Sequence, residues 1–194
     1  MTTPPERRDL DQSAPPTPVP DSRLVEGVAA VDDLDDFLTV LDAVGHETNA
    51  VVQAFDADYV VDAVHLRRAT RLAARAIARG EAVARDPGVE ILLYAAGRRQ
   101  IDRALRLGVS PGENQVVFVV ADFGDVPNAD RSSADLDAAV ERLTAAVTPE
   151  ATLGSFDQSA VREYYDVSDS ELAATLGGLP DVVHERVALL DVEK

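Results

Sequence analysis

The chain contains no cysteine and no tryptophan, and Lys194 is its single lysine. The lack of cysteine excludes disulfide bonds, thiol catalysis and cysteine-ligated zinc. No apolar run approaches the roughly 20 residues of a membrane-spanning helix, and no signal-peptide pattern opens the sequence. Hydrophobic residues nevertheless make up 46% of the 194 residues, which excludes a disordered protein. The composition therefore predicts a soluble, cytoplasmic globular protein.

Acidic residues dominate the charge of the chain. There are 35 acidic and 18 basic side chains, which gives a formal net charge of −17. Aspartate outnumbers glutamate, and arginine almost completely replaces lysine, a composition that suggests adaptation to high salt. The excess of carboxylates excludes a general nucleic-acid coat protein. Acidic runs such as residues 32–36 are therefore interpreted as solvated helix starts, not as acid–base pairs.

The pattern of apolar residues predicts one folded domain after a short tail. Residues 1–20 contain six prolines and predict a disordered extension, whereas residues 21–194 are expected to form a single domain. Apolar runs predict strands over residues 24–31, 49–55, 89–95 and 115–121. Helical periodicity or capping residues predict helices over residues 33–44, 56–79, 99–107, 133–147, 158–165, 168–176 and 180–190. This order indicates an α/β (or α+β) layered fold, with a small mixed sheet of about four strands flanked by helices and a helical C-terminal part.

The sequence lacks the common motifs of catalysis and cofactor binding. It contains neither a GxGxxG nor a GxxxxGK[ST] phosphate loop, and no GxSxG elbow presents a serine. His46, His65 and His184 do not share a metal-ligand spacing, and His65 lies within a helical pattern that favours burial. We therefore predict no catalytic residues, no metal site and no cofactor. A small hydrolase, or an enzyme for a phosphate ligand, remains an alternative only through residues that are distant in sequence.

One window of the chain is strongly basic. Residues 65–106 contain ten arginines and four acidic residues, a net charge of +6, so the other residues together carry −23. Within this window Arg67, Arg71, Arg75 and Arg79 recur every four residues and form a ridge on one side of a predicted helix. Each like-charged pair at this spacing costs a few tenths of a kcal/mol, so a compensating anion is expected.

Arg98 and Arg99 lie at the start of the helix predicted over residues 99–107. Free backbone N–H groups at a helix N-terminus attract anions, and the arginine fork binds phosphate through two hydrogen bonds. The basic window could therefore hold phosphates or the carboxylates of a partner. The alternative is that its arginines are solvated or pair with acidic residues of the same chain.

Several segments of this region together resemble a known family. Phe-Asp-Ala-Asp at residues 55–58 leads into Val-His-Leu-Arg-Arg-Ala at residues 64–69. Glu-Ile-Leu-Leu-Tyr-Ala-Ala-Gly at residues 90–97 is followed at once by Arg-Arg-Gln-Ile, and an apolar strand follows at residues 116–120. The string resembles the small non-catalytic subunit of the KEOPS (EKC) complex, the PRPK-binding-protein family. The resemblance is most specific over residues 55–122 and extends loosely from residue 22 to the C-terminus.

The resemblance implies a role in forming threonylcarbamoyl-adenosine in tRNA. It implies a subunit that is not itself the enzyme, that binds the N-lobe of the kinase-like ATPase subunit, and that recruits tRNA by its 3′ CCA end. Contact with the threonylcarbamoyl-transferase subunit would be indirect. A protein-only interaction subunit, whose arginines dock acidic partners without touching RNA, is the alternative.

Two sets of residues are the predicted sites. The RNA-binding set combines arginines for phosphates with Tyr94 for base stacking, although Tyr94 could equally belong to the core: Arg67, Arg71, Arg75, Arg98, Arg99, Arg103 and Tyr94. The kinase-binding set is an apolar seam in the last predicted helix, for which ordinary core is the alternative: Val182, Val183, Val187 and Leu190.

Overall fold

The computed structural model describes residues 19–192, so the predicted tail lies outside the described residues except for its last two positions. Within this range the strands are β1 (Ser22–Val31), β2 (Val51–Asp56), β3 (Gly112–Ala121) and β4 (Thr148–Pro149). The helices of the same range are α1 (Leu34–Thr48), α2 (Ala63–Ala78), α3 (Pro87–Ala96), α4 (Ile101–Ala104), α5 (Leu136–Ala145), α6 (Gln158–Tyr164), α7 (Asp169–Ala174) and α8 (Leu179–Leu189). None of these helices is long and apolar enough to cross a membrane.

The strands form one sheet in the order β2-β3-β1-β4. This arrangement confirms the predicted α/β class with a small sheet of four strands and a helical C-terminal part. Every pairing is antiparallel, so the sheet is not mixed. The long central strand β3 pairs with β1 along its whole length, from Ser22 opposite Ala121 to Val31 opposite Gly112.

Helices cover both faces of the sheet, and β3 contributes to the core on each side. Val117 and Val119 pack into a cluster that includes residues of α2, α3 and α8. Val116 and Phe118 point the other way, into a cluster with α1 and α5. Successive residues of a strand face opposite sides, so a strand buried on both faces is apolar throughout. This accounts for the continuous apolar run that predicted β3.

The prediction of a strand over residues 89–95 is wrong, because these residues belong to helix α3. Asp86 caps the helix by accepting a hydrogen bond from the Val89 amide, Pro87 occupies its first turn, and Gly97 ends it at a positive φ of 60°. Most residues of α3 are buried, so its sequence shows no polar face and no helical period. Periodicity alone cannot distinguish such a helix from a buried strand. The fourth strand is instead the two-residue β4.

β4 lies against β1 at a position where only glycine fits. A Cβ on Gly27 would lie 2.5 Å from a methyl carbon of Val147 and 2.7 Å from the Thr148 carbonyl oxygen. Next to it, the Glu26 carboxylate accepts hydrogen bonds of 2.8 Å from the amides of Thr152 and Leu153. The chain after β4 is thus fixed to the outer side of β1.

Candidate functional site

The arginine ridge lies on helix α2, which is held by its opposite face. Asp62 caps α2 by accepting a hydrogen bond of 2.8 Å from the His65 amide. Leu66, Ala69 and Ala73 are fully buried in the core between α2 and the sheet. Arg67 and Arg71 project from the other side into solvent. Within residues 19–192 their side chains make no hydrogen bond or ion pair, and the same is true of the exposed Arg103 side chain on α4.

The end of α8 holds two of the predicted RNA-binding arginines. Arg75 forms an ion pair with Asp191, and Arg99 donates a hydrogen bond of 2.9 Å to the Leu190 carbonyl oxygen. The C-terminal end of a helix carries partial negative charge on its free carbonyl groups, so it attracts cations. The structure thus brings Arg75 and Arg99 to one place, where the chain's own groups compensate their charge.

The tyrosine predicted to stack on bases contributes to this same contact from inside. Tyr94 is only 2% exposed, and its hydroxyl donates to Asp191 over 3.3 Å. Its ring belongs to the core between α2, α3 and α8. Tyr94 therefore has no face available to a nucleic-acid base in this structure.

The sequence predicted that Arg98 lies at a helix N-terminus, and this prediction is wrong. The Arg98 and Gly97 amides bond back to the carbonyls of Leu93 and Tyr94, which is the usual closure of a helix C-terminus at glycine. The next helix, α4, begins only at Ile101 and has four residues. Arg98 and Arg99 therefore lie just beyond the C-terminal end of α3, where the helix macrodipole favours cations.

The Arg98 side chain is bound to the segment that follows α6. Its guanidinium donates a hydrogen bond of 2.6 Å to the Tyr164 carbonyl oxygen and forms an ion pair of 3.0 Å with Asp166. The guanidinium carbons of Arg98 and Arg106 lie 5.3 and 5.6 Å from the centre of the Tyr164 ring. Burial raises the pKa of Tyr164 to about 12 although both arginines lower it. Arg98 thus connects α3 to the C-terminal helices.

The apolar seam predicted to bind the kinase is core. Val182, Val183 and Val187 are at most 1% exposed, and Leu190 is 7% exposed. They pack with residues of α2 and α3 in the larger cluster. The structure therefore corrects the expectation of an exposed seam, because one side of α8 is needed to close the core over α2.

A buried polar cluster lies beneath α2. His65 is fully buried, and its Nε2 atom lies 2.9 Å from the Ala95 carbonyl oxygen. The Tyr165 hydroxyl donates to the same carbonyl over 2.7 Å. Burial lowers the pKa of His65 to about 4, and its Nδ1 atom has no partner among the described residues. The ring is therefore a neutral structural group, as its helical pattern favoured, and it has no contact with solvent through which to act on a substrate.

A groove beside strand β2 was not predicted from the sequence. It has a volume of about 830 Å³ and lies between α1 on one side and α3 with the turn after α4 on the other. Its apolar lining comes from distant parts of the chain: Leu34, Leu38, Leu41, Leu92, Leu105 and Val109. Because these residues meet only in the folded chain, no local pattern could have indicated the groove.

The arginine ridge and the groove both lie in a stretch that matches a known family. Residues 31–191 match the family described as kinase binding protein CGI-121. The chain belongs to this family. No curated protein matches the chain at a significant level. The match confirms the KEOPS family that the sequence resembles.

The match to the CGI-121 family spans most of the described fold. The matched residues run from the last position of β1 to Asp191, and so include the arginines of α2 and the groove. Within residues 19–192, no group of three or more histidine, aspartate or glutamate side chains is arranged to hold a metal ion.

Proposed function

We propose that this CGI-121 protein is a non-catalytic subunit of the KEOPS complex, which binds the kinase-like ATPase subunit and recruits tRNA by its 3′ CCA end. The family match supports the kinase-binding part. The RNA-binding part is carried by one observation: Arg67 and Arg71 project from α2 without a partner among the described residues, on an otherwise acidic protein. Through the ATPase the protein would meet the threonylcarbamoyl-transferase subunit indirectly.

The exposed arginines are the groups available for phosphates. Arg67, Arg71 and Arg103 are exposed, whereas Arg75, Arg98 and Arg99 are occupied by groups of the same chain. Contacts to phosphates position an RNA without reading its sequence. A chain with a net charge of −17 repels nucleic acid over most of its surface, so binding at one basic surface suits a short single-stranded end better than a long duplex.

The test is a gel shift with intact tRNA and with tRNA that lacks CCA. The double variant R67A/R71A should bind intact tRNA more weakly, and the log–log slope of affinity against salt should fall by about 0.7 for each phosphate that the variant no longer binds. The matched control is R23A/R142A, which also removes two exposed arginines, each of which pairs with an acidic residue. If both double variants bind tRNA equally well, α2 does not bind RNA.

A subunit that binds only proteins remains the second candidate, and the contacts of Arg75 and Arg99 with the end of α8 favour it. Arg75 of the arginine ridge pairs with the carboxylate of Asp191, and Arg99 donates to the Leu190 carbonyl oxygen, so arginines of this region bind protein groups. A partner's carboxylates could bind Arg67 and Arg71 in the same way. If R67A/R71A keeps tRNA binding but no longer binds a protein partner, this second function replaces the first.

The proposal of a non-catalytic subunit has its own test. The purified chain alone should show no hydrolase, kinase or transferase turnover, since His65 is shielded from solvent and no catalytic motif is present in the sequence. Robust turnover by the isolated, contaminant-free chain would contradict this.

A further inference from the structure

The groove beside β2 has the form of a docking surface. Its floor is made of side chains that are partly or fully covered, such as Leu41 and Leu92. Its two walls each end in a large apolar side chain that is open to solvent: Leu38 on α1 is 44% exposed and Leu105, after α4, is 58% exposed. Exposed apolar side chains on both sides of a groove mark a site where another molecule excludes water.

The charge around the groove indicates what that molecule carries. Asp42, Asp86 and Asp130 line it together with one cation, Arg131. Arg131 is already directed inward, to the carbonyl oxygens of Asn49 and Ala50, at 3.4 and 3.3 Å. The carboxylates therefore set the potential at the rim, which disfavours RNA and favours an apolar segment with basic side chains.

Kinase binding needs an exposed apolar surface, and the α8 seam does not supply one because its valines are in the core. We infer that the kinase-like subunit docks in the groove between α1 and α3, through an apolar segment that carries lysine or arginine. This inference rests on the proposed function. Leu38 and Leu105 are its apolar anchors, and Asp42 pairs with a basic residue of the kinase.

A kinase bound in the groove would leave the arginine ridge of α2 available to RNA. α3 packs against β2 on one side and against α2 on another, and its residues Val89 and Leu92 line the groove. Arg67 and Arg71 lie on the far side of α2 from this core. A protein that holds the kinase in the groove can therefore hold RNA at α2 as well.

The test uses the full chain and the purified kinase-like subunit, with affinity measured by calorimetry. Leu38→Asp should weaken binding roughly thirtyfold, as expected for an apolar anchor that the partner covers. The matched control is Val40→Asp on the same helix, where the side chain is 48% exposed and does not line the groove. Asp42→Lys reverses the charge at the rim without touching the floor, and should weaken binding several-fold more at low salt than at high salt.

The outcomes separate this inference from the proposed function. If the wild-type chain does not bind the kinase-like subunit, both are wrong. If it binds, and L38D and V40D bind as well as the wild type, the kinase docks elsewhere and only this inference is wrong. If L38D instead changes the mass of the free protein in solution, a second copy occupies the groove and the inference is also wrong. Circular dichroism spectra and tRNA gel shifts of L38D should match those of V40D.

Discussion

The guanidinium of Arg75, on α2, forms an ion pair with the carboxylate of Asp191, which is 116 positions away and follows the end of α8. The Asp191 side chain is 11% exposed, and Tyr94 donates to it from the core. This contact fixes the end of α8 beside the arginine ridge of α2. It also gives Arg75 an acidic partner in the place where the sequence predicted an RNA phosphate.

Asp191→Asn tests which of these roles matters for RNA. The substitution removes the negative charge but keeps the size of the side chain. The positive charge of Arg75 is then no longer neutralised by Asp191 and is available to a phosphate. We expect tighter tRNA binding with a salt slope larger by about 0.7, together with a decrease of about 1–2 kcal/mol in the free energy of unfolding. Titrations at several salt concentrations and urea unfolding measure the two effects. A lower stability with an unchanged salt slope would show that Arg75 is structural only.

Arg98→Ala should destabilise the protein, because the Arg98 side chain is bound to groups of the same chain. The guanidinium bonds to the Tyr164 carbonyl and to Asp166, so its removal should cost roughly 1–2 kcal/mol of unfolding free energy. Arg103→Ala is the matched control, because that side chain is exposed and has no side-chain partner in the described part of the chain. Thermal melts of the two variants in one buffer should therefore differ, and equal melting temperatures would count against the structural role of Arg98.

The stability of the protein should rise with pH between about 5 and 7. Burial lowers the pKa of His65 to about 4, whereas the ordinary value is 6.5. Between these values the unfolded chain binds a proton that the folded chain does not, so acid favours unfolding. The expected decrease in unfolding free energy from pH 7 to pH 5 is about 2 kcal/mol, which urea unfolding at each pH measures. His65→Gln cannot titrate, so it should be less stable at pH 7 but nearly independent of pH over this interval.

Val187→Glu should prevent folding. Val187 is fully buried in the cluster that α8 forms with α2 and α3, and an unpaired carboxylate there costs several kcal/mol. Val40→Glu introduces the same charge at a side chain that is 48% exposed, and it should fold. Far-ultraviolet circular dichroism of the two variants provides the comparison. A folded V187E that no longer binds the kinase partner would restore the seam as an interface.

Local patterns predicted most of the helices and strands because each carries its own signal. The capping residues Asp33 and Ser168 accept hydrogen bonds from amides in the first turns of α1 and α7. The α3 segment was misassigned because burial on all sides removes the period that identifies a helix. The two-residue β4 is defined by its pairing with β1 rather than by its own sequence.

The candidate site was predictable only in part, for a different reason. The spacing of Arg67 and Arg71 correctly placed both on one exposed side of a helix. The partners of Arg75, Arg98 and Arg99 come from residues 164–191, and nothing in the spacing of the arginines identifies them. Composition likewise could not show that the valines of α8 face inward, since an apolar seam fits a core and an interface equally well.

The close approach of β4 to Gly27 has a consequence for how the protein behaves when it is concentrated. Outer strands of a sheet can recruit strands from other molecules, which leads to aggregation. Here the outer side of β1 is occupied at Gly27 and Val28 by β4, and the Glu26 carboxylate secures the following residues. At the opposite edge, Gly88 at the start of α3 lies so close to the Val52 carbonyl that an added Cβ would be 3.3 Å from it. β4 thus covers the middle of β1 at one edge, and the start of α3 covers β2 near Val52 at the other, so each contact shortens the stretch of strand with which a neighbouring molecule can pair.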